Sequence, residues 1–330
     1  MSAGAGTLGY FGIAFQDDLT GQADATSVHF LPFVSESLVE SIPRIETQEL
    51  RYVHDEGYSH QGLRTVAGDI VLEPTPYALA IAAYATMGVL ETDSHASYFT
   101  HKLQMRNDNL MAGAPLPPFT CVVGRDVSCA QAFWNCQATG LTIDLNQGDI
   151  ARLTLSIIGG AGMGDSDLGT PSFQDVGSSH MPWNVTSIAL SGAASGRDFT
   201  QLSIAITNPM EARPTISTSD YASNFKRTGF RQVRVNGSLD ISSLEHYNRL
   251  RANASHELEI HMAPTANEYV TIGGPAMVYE AAPYNVGGPG PVSATVTLRA
   301  HPDVDSGTLW MASRTVGGMG IEIGSGNGSW

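Results

Sequence analysis

Apolar and polar positions alternate with period two along much of this chain, the pattern of strands with one buried and one wet face. Val66, Gly68, Ile70 and Leu72 alternate with polar or small residues and predict a strand over 66–73. Leu153-Thr154-Leu155-Ser156-Ile157 and Ala294-Thr295-Val296-Thr297-Leu298 repeat one pattern of apolar and hydroxyl residues. Leu258, Ile260 and Met262 alternate with His and Glu, and His29-Phe30-Leu31-Pro32-Phe33 begins the first strand region. Only two stretches change period. Thr75-Pro76 predicts a helix start, with Thr75 as N-cap and Pro76 at the first helical position. Tyr77, Ile81 and Tyr84 then form an apolar stripe, and Gly88 ends it. Ser242-x-x-Glu245 predicts a capping box, with Leu244, Tyr247 and Leu250 as the second helix's stripe. The expected class is mainly β: β-sandwiches or half-barrels, each with one short flanking helix.

The pattern occurs twice. Gly62-Leu63-Arg64-Thr65-Val66 leads through Gly68 into a strand and the helix with Tyr77. Gly229-Phe230-Arg231-Gln232-Val233 leads through Gly237 into a strand and the helix with Tyr247. A polar stretch precedes each marker, and a glycine followed by an alternating strand comes after it (Gly148 and Leu153–Ile157, then Gly290 and Ala294–Leu298). The markers are about half a chain apart, which predicts an internal duplication into units 1–164 and 165–330. About 26 extra residues in the first half fall between Val89 and Thr120. The glycine-rich run Gly159–Gly164 is the expected linker.

Charge narrows the function. The 330 residues carry 17 Lys and Arg against 32 Asp and Glu, net −15. Residues 1–165 hold 7 against 18 and residues 166–330 hold 10 against 14, so the excess lies mainly in the first half. Such a chain is poorly suited to grip phosphates. Tyr77 to Leu90, the longest mostly apolar run, is too short to span a bilayer, and Met1-Ser2-Ala3-Gly4-Ala5 lacks the features of a secretory signal. Cys121, Cys129 and Cys136 lack zinc-ribbon spacing and are expected to be reduced thiols.

Candidate chemistry is sparse. Gly160-x-Gly162-x-Gly164 lacks the Lys-Ser/Thr ending of a phosphate loop and no helix pattern follows it. His256 and His261 are five apart, where a zinc protease helix needs four. His54, Asp55, Glu56, Tyr58 and His60 could approach a metal, but a solvated loop explains them equally. Asp165 and Asp167 lack the rest of a calcium loop. No nucleophile elbow is present. No enzymatic activity, cofactor or metal is expected.

An ordered set of short motifs resembles the tail tube proteins of long-tailed bacteriophages. The set comprises Gly12-Ile13-Ala14-Phe15-Gln16, Phe33-Val34-Ser35-Glu36-Ser37-Leu38, Arg44-Ile45-Glu46, Glu49-Leu50-Arg51 and Gly62-x-Arg64-x-Val66-x-Gly68. It continues with Gly124-Arg125-Asp126, Gly148 before Leu153–Ile157, Ile204-Ala205-Ile206-Thr207-Asn208, Glu211-Ala212-Arg213 and Gly287-Gly288-Pro289-Gly290-Pro291. The resemblance covers residues 8–312 and is weaker over 89–116 and 313–330. It implies tube domains that form rings of six, stacked into a hollow conduit through which double-stranded DNA passes without specific binding. Two such domains per chain imply a homotrimer with pseudo-sixfold symmetry. It further implies a virion tail protein made in the host cytoplasm, working with tape measure, terminator and distal tail proteins. The polar stretches 44–62 and 213–229 are the expected ring-stacking loops, through Arg44, Glu49, Arg51, Asp55, Arg213, Asp220, Lys226 and Arg227. Alternatives are a tail-tip or terminator ring, or a carbohydrate-binding β-sandwich using some of Trp134, Trp183, Trp310 and Trp330.

Overall fold

A computed structural model describes residues 8–16, 28–49, 58–105, 116–125, 130–163, 179–191, 199–216, 220–222, 224–240, 244–283, 293–302 and 308–316. The first half holds β1 (Tyr10–Phe15), β2 (His29–Leu31), β3 (Ser35–Glu36), β4 (Val39–Ser41), β5 (Arg44–Glu46), β6 (Ser59–Gln61) and β7 (Thr65–Leu72). It continues with α1 (Pro76–Met87), β8 (Gly88–Ser94), β9 (Tyr98–Met105), β10 (Phe119–Gly124), β11 (Ala130–Asn146), β12 (Arg152–Gly159) and β13 (Ala161–Met163). The second half holds β14 (Thr186–Leu190), β15 (Phe199–Thr207), β16 (Met210–Ala212), β17 (Phe225–Arg227), β18 (Gln232–Asp240), α2 (Glu245–Ala252), β19 (His256–Met262), β20 (Tyr269–Ala281), β21 (Ser293–Ala300) and β22 (Trp310–Val316). The fold is mainly β, as the alternation predicts.

Strand pairing follows one scheme in both halves. β7 pairs with β12, β12 with β11, β11 with β10 and β10 with β1, while β13 returns to β11. β18 pairs with β21, β21 with β20, β20 with β19 and β19 with β14, while β22 returns to β20. All these pairings are antiparallel. The irregularities recur as well. The ladder of β11 shifts opposite Phe119/Cys121 and again between Ala138 and Gly140. The ladder of β20 shifts opposite His256/Leu258 and again between Tyr279 and Ala281. A bulge adds local twist and re-aims the strand beyond it, so a shared position gives both strands a shared bend.

The halves are joined by sheet as well as by chain. Residues 140–146 of β11 pair with 207–201 of β15. Gly88–Met105, at the start of the predicted extra segment, forms the hairpin β8–β9, and β9 pairs with β22 from the other half. One buried apolar cluster includes Phe11, Leu141, Ile204 and Met311 and so runs through both halves.

α1 keeps its predicted ends. Thr75 Oγ1 accepts the Ala78 N–H at 3.2 Å, and Gly88 closes the helix at φ +93°. Its burial exceeds a stripe: all twelve residues are buried, between β8, β9, β11 and β22. α2 departs from expectation. Ser242 lies outside the described residues, and the N-cap is Leu244, which makes no side-chain cap bond. Leu244 and Tyr247 of the predicted stripe are 61% and 41% exposed. The buried side belongs instead to His246 and Arg249, whose polar atoms are held by Tyr279 Oη at 2.8 Å and the Ser191 carbonyl at 3.0 Å. Leu250 of the predicted stripe does pack against the core, and hydrogen bonds supply the rest of the helix's anchoring. Within the predicted linker, Ala161–Met163 pairs with 134–132 of β11 as β13, because a short edge ladder needs only backbone. Residues 164–178 lie outside the described residues.

Candidate assembly surfaces

The predicted stacking stretch 44–62 begins and ends as a hairpin, and 213–229 includes the second strand of another, whose first strand, Met210–Ala212, precedes it. Arg44 pairs with Gln61, Ile45 with His60 and Glu46 with Ser59, and the Thr47 N–H extends the ladder to the Tyr58 carbonyl at 3.0 Å. Met210 pairs with Arg227, Glu211 with Lys226 and Ala212 with Phe225, and the Arg213 N–H reaches the Asn224 carbonyl at 2.9 Å. With so few rungs, backbone bonds set the hairpins, and of their strand side chains Phe225 alone is buried. Arg44, Glu49, Arg213 and Lys226 are exposed, and Arg213 lies 3.6 Å from Glu211. Arg51 and Asp55 lie outside the described residues.

Asp220 sits elsewhere than on an exposed tip. Its carboxylate forms an ion pair with Arg64, 2.9 Å from Nε, and accepts from the Gln61 amide at 3.0 Å, while its carbonyl accepts the Arg64 backbone N–H at 2.7 Å. Tyr221 next to it meets Trp134 edge-on at 6.4 Å. A Cβ at Gly160 would stand 2.5 Å from the Ala222 carbonyl, so backbone approaches backbone there. The root of the second hairpin's loop is therefore fastened to the first half. Arg227 is half-buried, and its Nε and Nη2 have no hydrogen-bond partner among the described residues. Burial first, and Arg227's charge second, push the Arg231 guanidinium down to about 10.

The outer side of β3 and β4 is a sheet edge, since both pair only with β7 among the described strands. The resemblance motifs meet here. Arg125 Nε donates to Glu36 at 2.7 Å and Arg125 Nη2 to the Leu38 carbonyl at 2.8 Å, while Glu36 accepts the Leu38 N–H at 2.9 Å. Ser37 N–H points to Asp69 on β7, so the alternating Leu38 groups point outward and this clip occupies them. Sequence reading did not foresee either tie, Arg64–Asp220 or Arg125–Glu36, because each joins residues far apart in the chain.

Among the described residues, no group of three or more His, Cys, Asp or Glu is placed to hold a metal. His60 is exposed on β6, and His54, Asp55, Glu56, Asp165 and Asp167 lie outside the described residues. Cys121 and Cys136 are free and buried, and burial pushes the Cys121 thiol well up, away from reactivity. Trp134, Trp183 and Trp310 stand on separate elements, with Trp183 the exposed one. A family model described as phage tail tube protein matches residues 6–300. No curated protein matches the chain.

Proposed function

The chain belongs to the phage tail tube protein family, and on that premise we propose that it builds the tube as stacked rings of three chains. Each chain supplies two tube units, 1–164 and 165–330, which arose by internal duplication. The observation that carries this reading is the recurrent strand scheme, down to the bulges after Ala138 and Tyr279. Independent convergence on one order of pairings with matching irregularities is a poor alternative. Six units then surround a lumen through which the genome leaves for the host. The protein is a structural part of the virion tail, made in the host cytoplasm, and its partners are other copies, then tape measure, terminator and distal tail proteins.

The hairpins β5–β6 and β16–β17 carry ring stacking, through Arg44, Glu49, Arg51, Asp55, Arg213, Lys226 and Arg227. Asp220 contributes by fixing the second hairpin to the first half. Negative-stain electron microscopy with native mass spectrometry of the purified protein tests the reading. Hollow tubes with a ring mass of three chains are expected. Six chains per ring would overturn the two-unit reading, and rings that never stack would favour a terminator or tip component.

A further inference from the structure

The sheet that runs from β7 through β12, β11 and β15 to β18 has two ends of different character. Its registers place Thr65, Gly159, Gly140, Thr207 and Gln232 at one end. Both hairpins leave the sheet there: β5 and β6 follow Ser41 and precede Thr65, while β16 and β17 follow Thr207 and precede Gln232. The hairpins differ in charge. Residues 210–231 carry Arg213, Lys226, Arg227 and Arg231 against Glu211 and Asp220, the reverse of the chain's 17 against 32. Asp220 is held by Arg64, Arg213 and Lys226 are exposed, and Phe230, which follows β17, is 91% exposed. Residues 44–61 carry Arg44 and Arg51 against Glu46, Glu49, Asp55 and Glu56, the opposite balance. In the first half, the other end of the sheet holds Glu73 after β7, the turn 146–149 between β11 and β12, and Arg152. Continuing the β7–β12 register by one residue sets Glu73 opposite Arg152, and Asp144 faces the same arginine from β11. Arg152 thus stands between two carboxylates. Asp149 adds an exposed third, and its carbonyl accepts the N–H of Trp183 at 3.0 Å. Trp183 is 46% exposed.

We propose that the basic hairpin β16–β17 of one copy seats on the end of a second copy that carries Glu73, Asp149 and Trp183. This rests on the stacked-ring reading above and names the surface that receives the hairpin. Opposite charges across such a contact steer the approach and fix its register. A guanidinium pairs with a carboxylate along its edge and with an aromatic ring over its face, and Asp149 and Trp183, joined by one backbone bond, offer both. The hairpin β5–β6 would bring carboxylates to the same end, where like charges oppose docking, so the two hairpins of a chain are not interchangeable. In a ring where the hairpins alternate, charge therefore selects between registers that the recurrent strand scheme alone leaves equivalent. The contact is heterologous, joining different surfaces of identical chains, and such a contact extends without limit when it does not close.

The test uses two variants of the full chain, read by electron microscopy and native mass spectrometry. One reverses the hairpin, Arg213→Glu with Lys226→Glu, and the other reverses the receiving end, Glu73→Lys with Asp149→Lys. Each variant alone sets like charge against like and is expected to give rings without tubes. An equal mixture restores opposite charge at every joint and is expected to give tubes. Tubes of wild-type length from the second variant alone, with none from the first, overturn this pairing and leave the hairpin's stacking role intact. Two variants that each stop at rings and stay as rings when mixed do the same. Tubes of wild-type length from the first variant overturn the stacking role and this proposal with it. The uncharged pair Glu73→Gln with Asp149→Asn gives a second measure, since it keeps an acceptor for the Ile150 N–H that Asp149 now holds at 2.9 Å. Shorter tubes than wild type at equal protein concentration are expected, and an unchanged length overturns the proposal.

Discussion

Gly68 sets how closely β4 can approach β7. Its backbone is extended, so crowding is what excludes a side chain: a Cβ would stand 2.4 Å from the Ser37 carbonyl and 2.7 Å from Leu38 Cα. Ser37 and Asp69 exchange bonds at this crossing, N–H to carbonyl at 2.9 Å and N–H to hydroxyl at 2.9 Å. Gly68→Val is expected to push the edge away and cost about 1–3 kcal/mol, the usual range for overpacking, read as a lower urea midpoint. An unchanged midpoint would show that the edge yields freely. His256 gives the chain a response to acid. Arg249 Nη1 donates to His256 Nδ1 at 3.3 Å, which leaves the ring neutral with its proton on Nε2. Burial first, then the Arg249 charge, hold its pKa below the ordinary value near 6.5. A proton therefore binds the unfolded chain more readily. This contribution is full above about pH 6.5 and declines as pH falls through the folded value. His256→Asn should reduce the loss of melting temperature between pH 7.5 and 5.5, and an equal loss in both proteins would refute the assignment. Little of this was legible in advance. The sequence shows Gly68 within a strand pattern, but the atom that crowds it comes from thirty residues upstream.

At the scale of elements, legibility depended on whether local signals and tertiary packing agreed. α1 carries Thr75, Pro76 and Gly88 at its ends and small apolar residues between, so its limits could be read directly. Its complete burial could not, because β11 and β22, which help to cover it, are distant in sequence. Leu79→Ala should therefore cost about 2–5 kcal/mol in chemical denaturation, the range for a buried leucine whose cavity stays open. A cost below ~1 kcal/mol would mean that the layer collapses around the gap. α2 was misread because an apolar stripe at helical spacing is a packing signal only if something lies over it. Leu244 and Tyr247 have that spacing and face outward, whereas His246 and Arg249 are fixed by partners on β20 and after β14. The hairpins β5–β6 and β16–β17 carry no alternation in the sequence, since they have few rungs and only Phe225 of their strand side chains is buried. Arg44→Glu with Lys226→Glu, both on exposed rungs, should keep ring mass while shortening or abolishing tubes. Tubes of wild-type length from that variant would remove the stacking role.

For the whole molecule, charge and connectivity matter most. If the proposed tube conducts DNA, a net charge of −15 suits its wall, provided that carboxylates dominate the inner face. Their influence reaches about one Debye length, ~8–10 Å at ordinary salt, enough to keep phosphates off the wall. Assembled protein should leave duplex DNA unretarded in a gel even at 50 mM salt, a value chosen as roughly the low end where counterion release favours binding. Retardation that fades steeply with added salt would show a cationic lumen instead. The class of fold was open to sequence reading because it rests on periodicity. The joining of the halves was not, since nothing local announces that 140–146 will find 201–207. That ladder has a geometric consequence. Two tube units joined only by a flexible tether would find their mutual angle during assembly. Here the angle is fixed when the chain folds, by a continuous run of rungs at which a Cβ on Gly140 would stand 3.3 Å from the Ile206 carbonyl. On the ring reading proposed above, every polypeptide would be a prefabricated arc. If three such arcs close a circle, half of its joints carry a curvature written in the monomer, and a small change at Gly140 would turn a circle into a spiral.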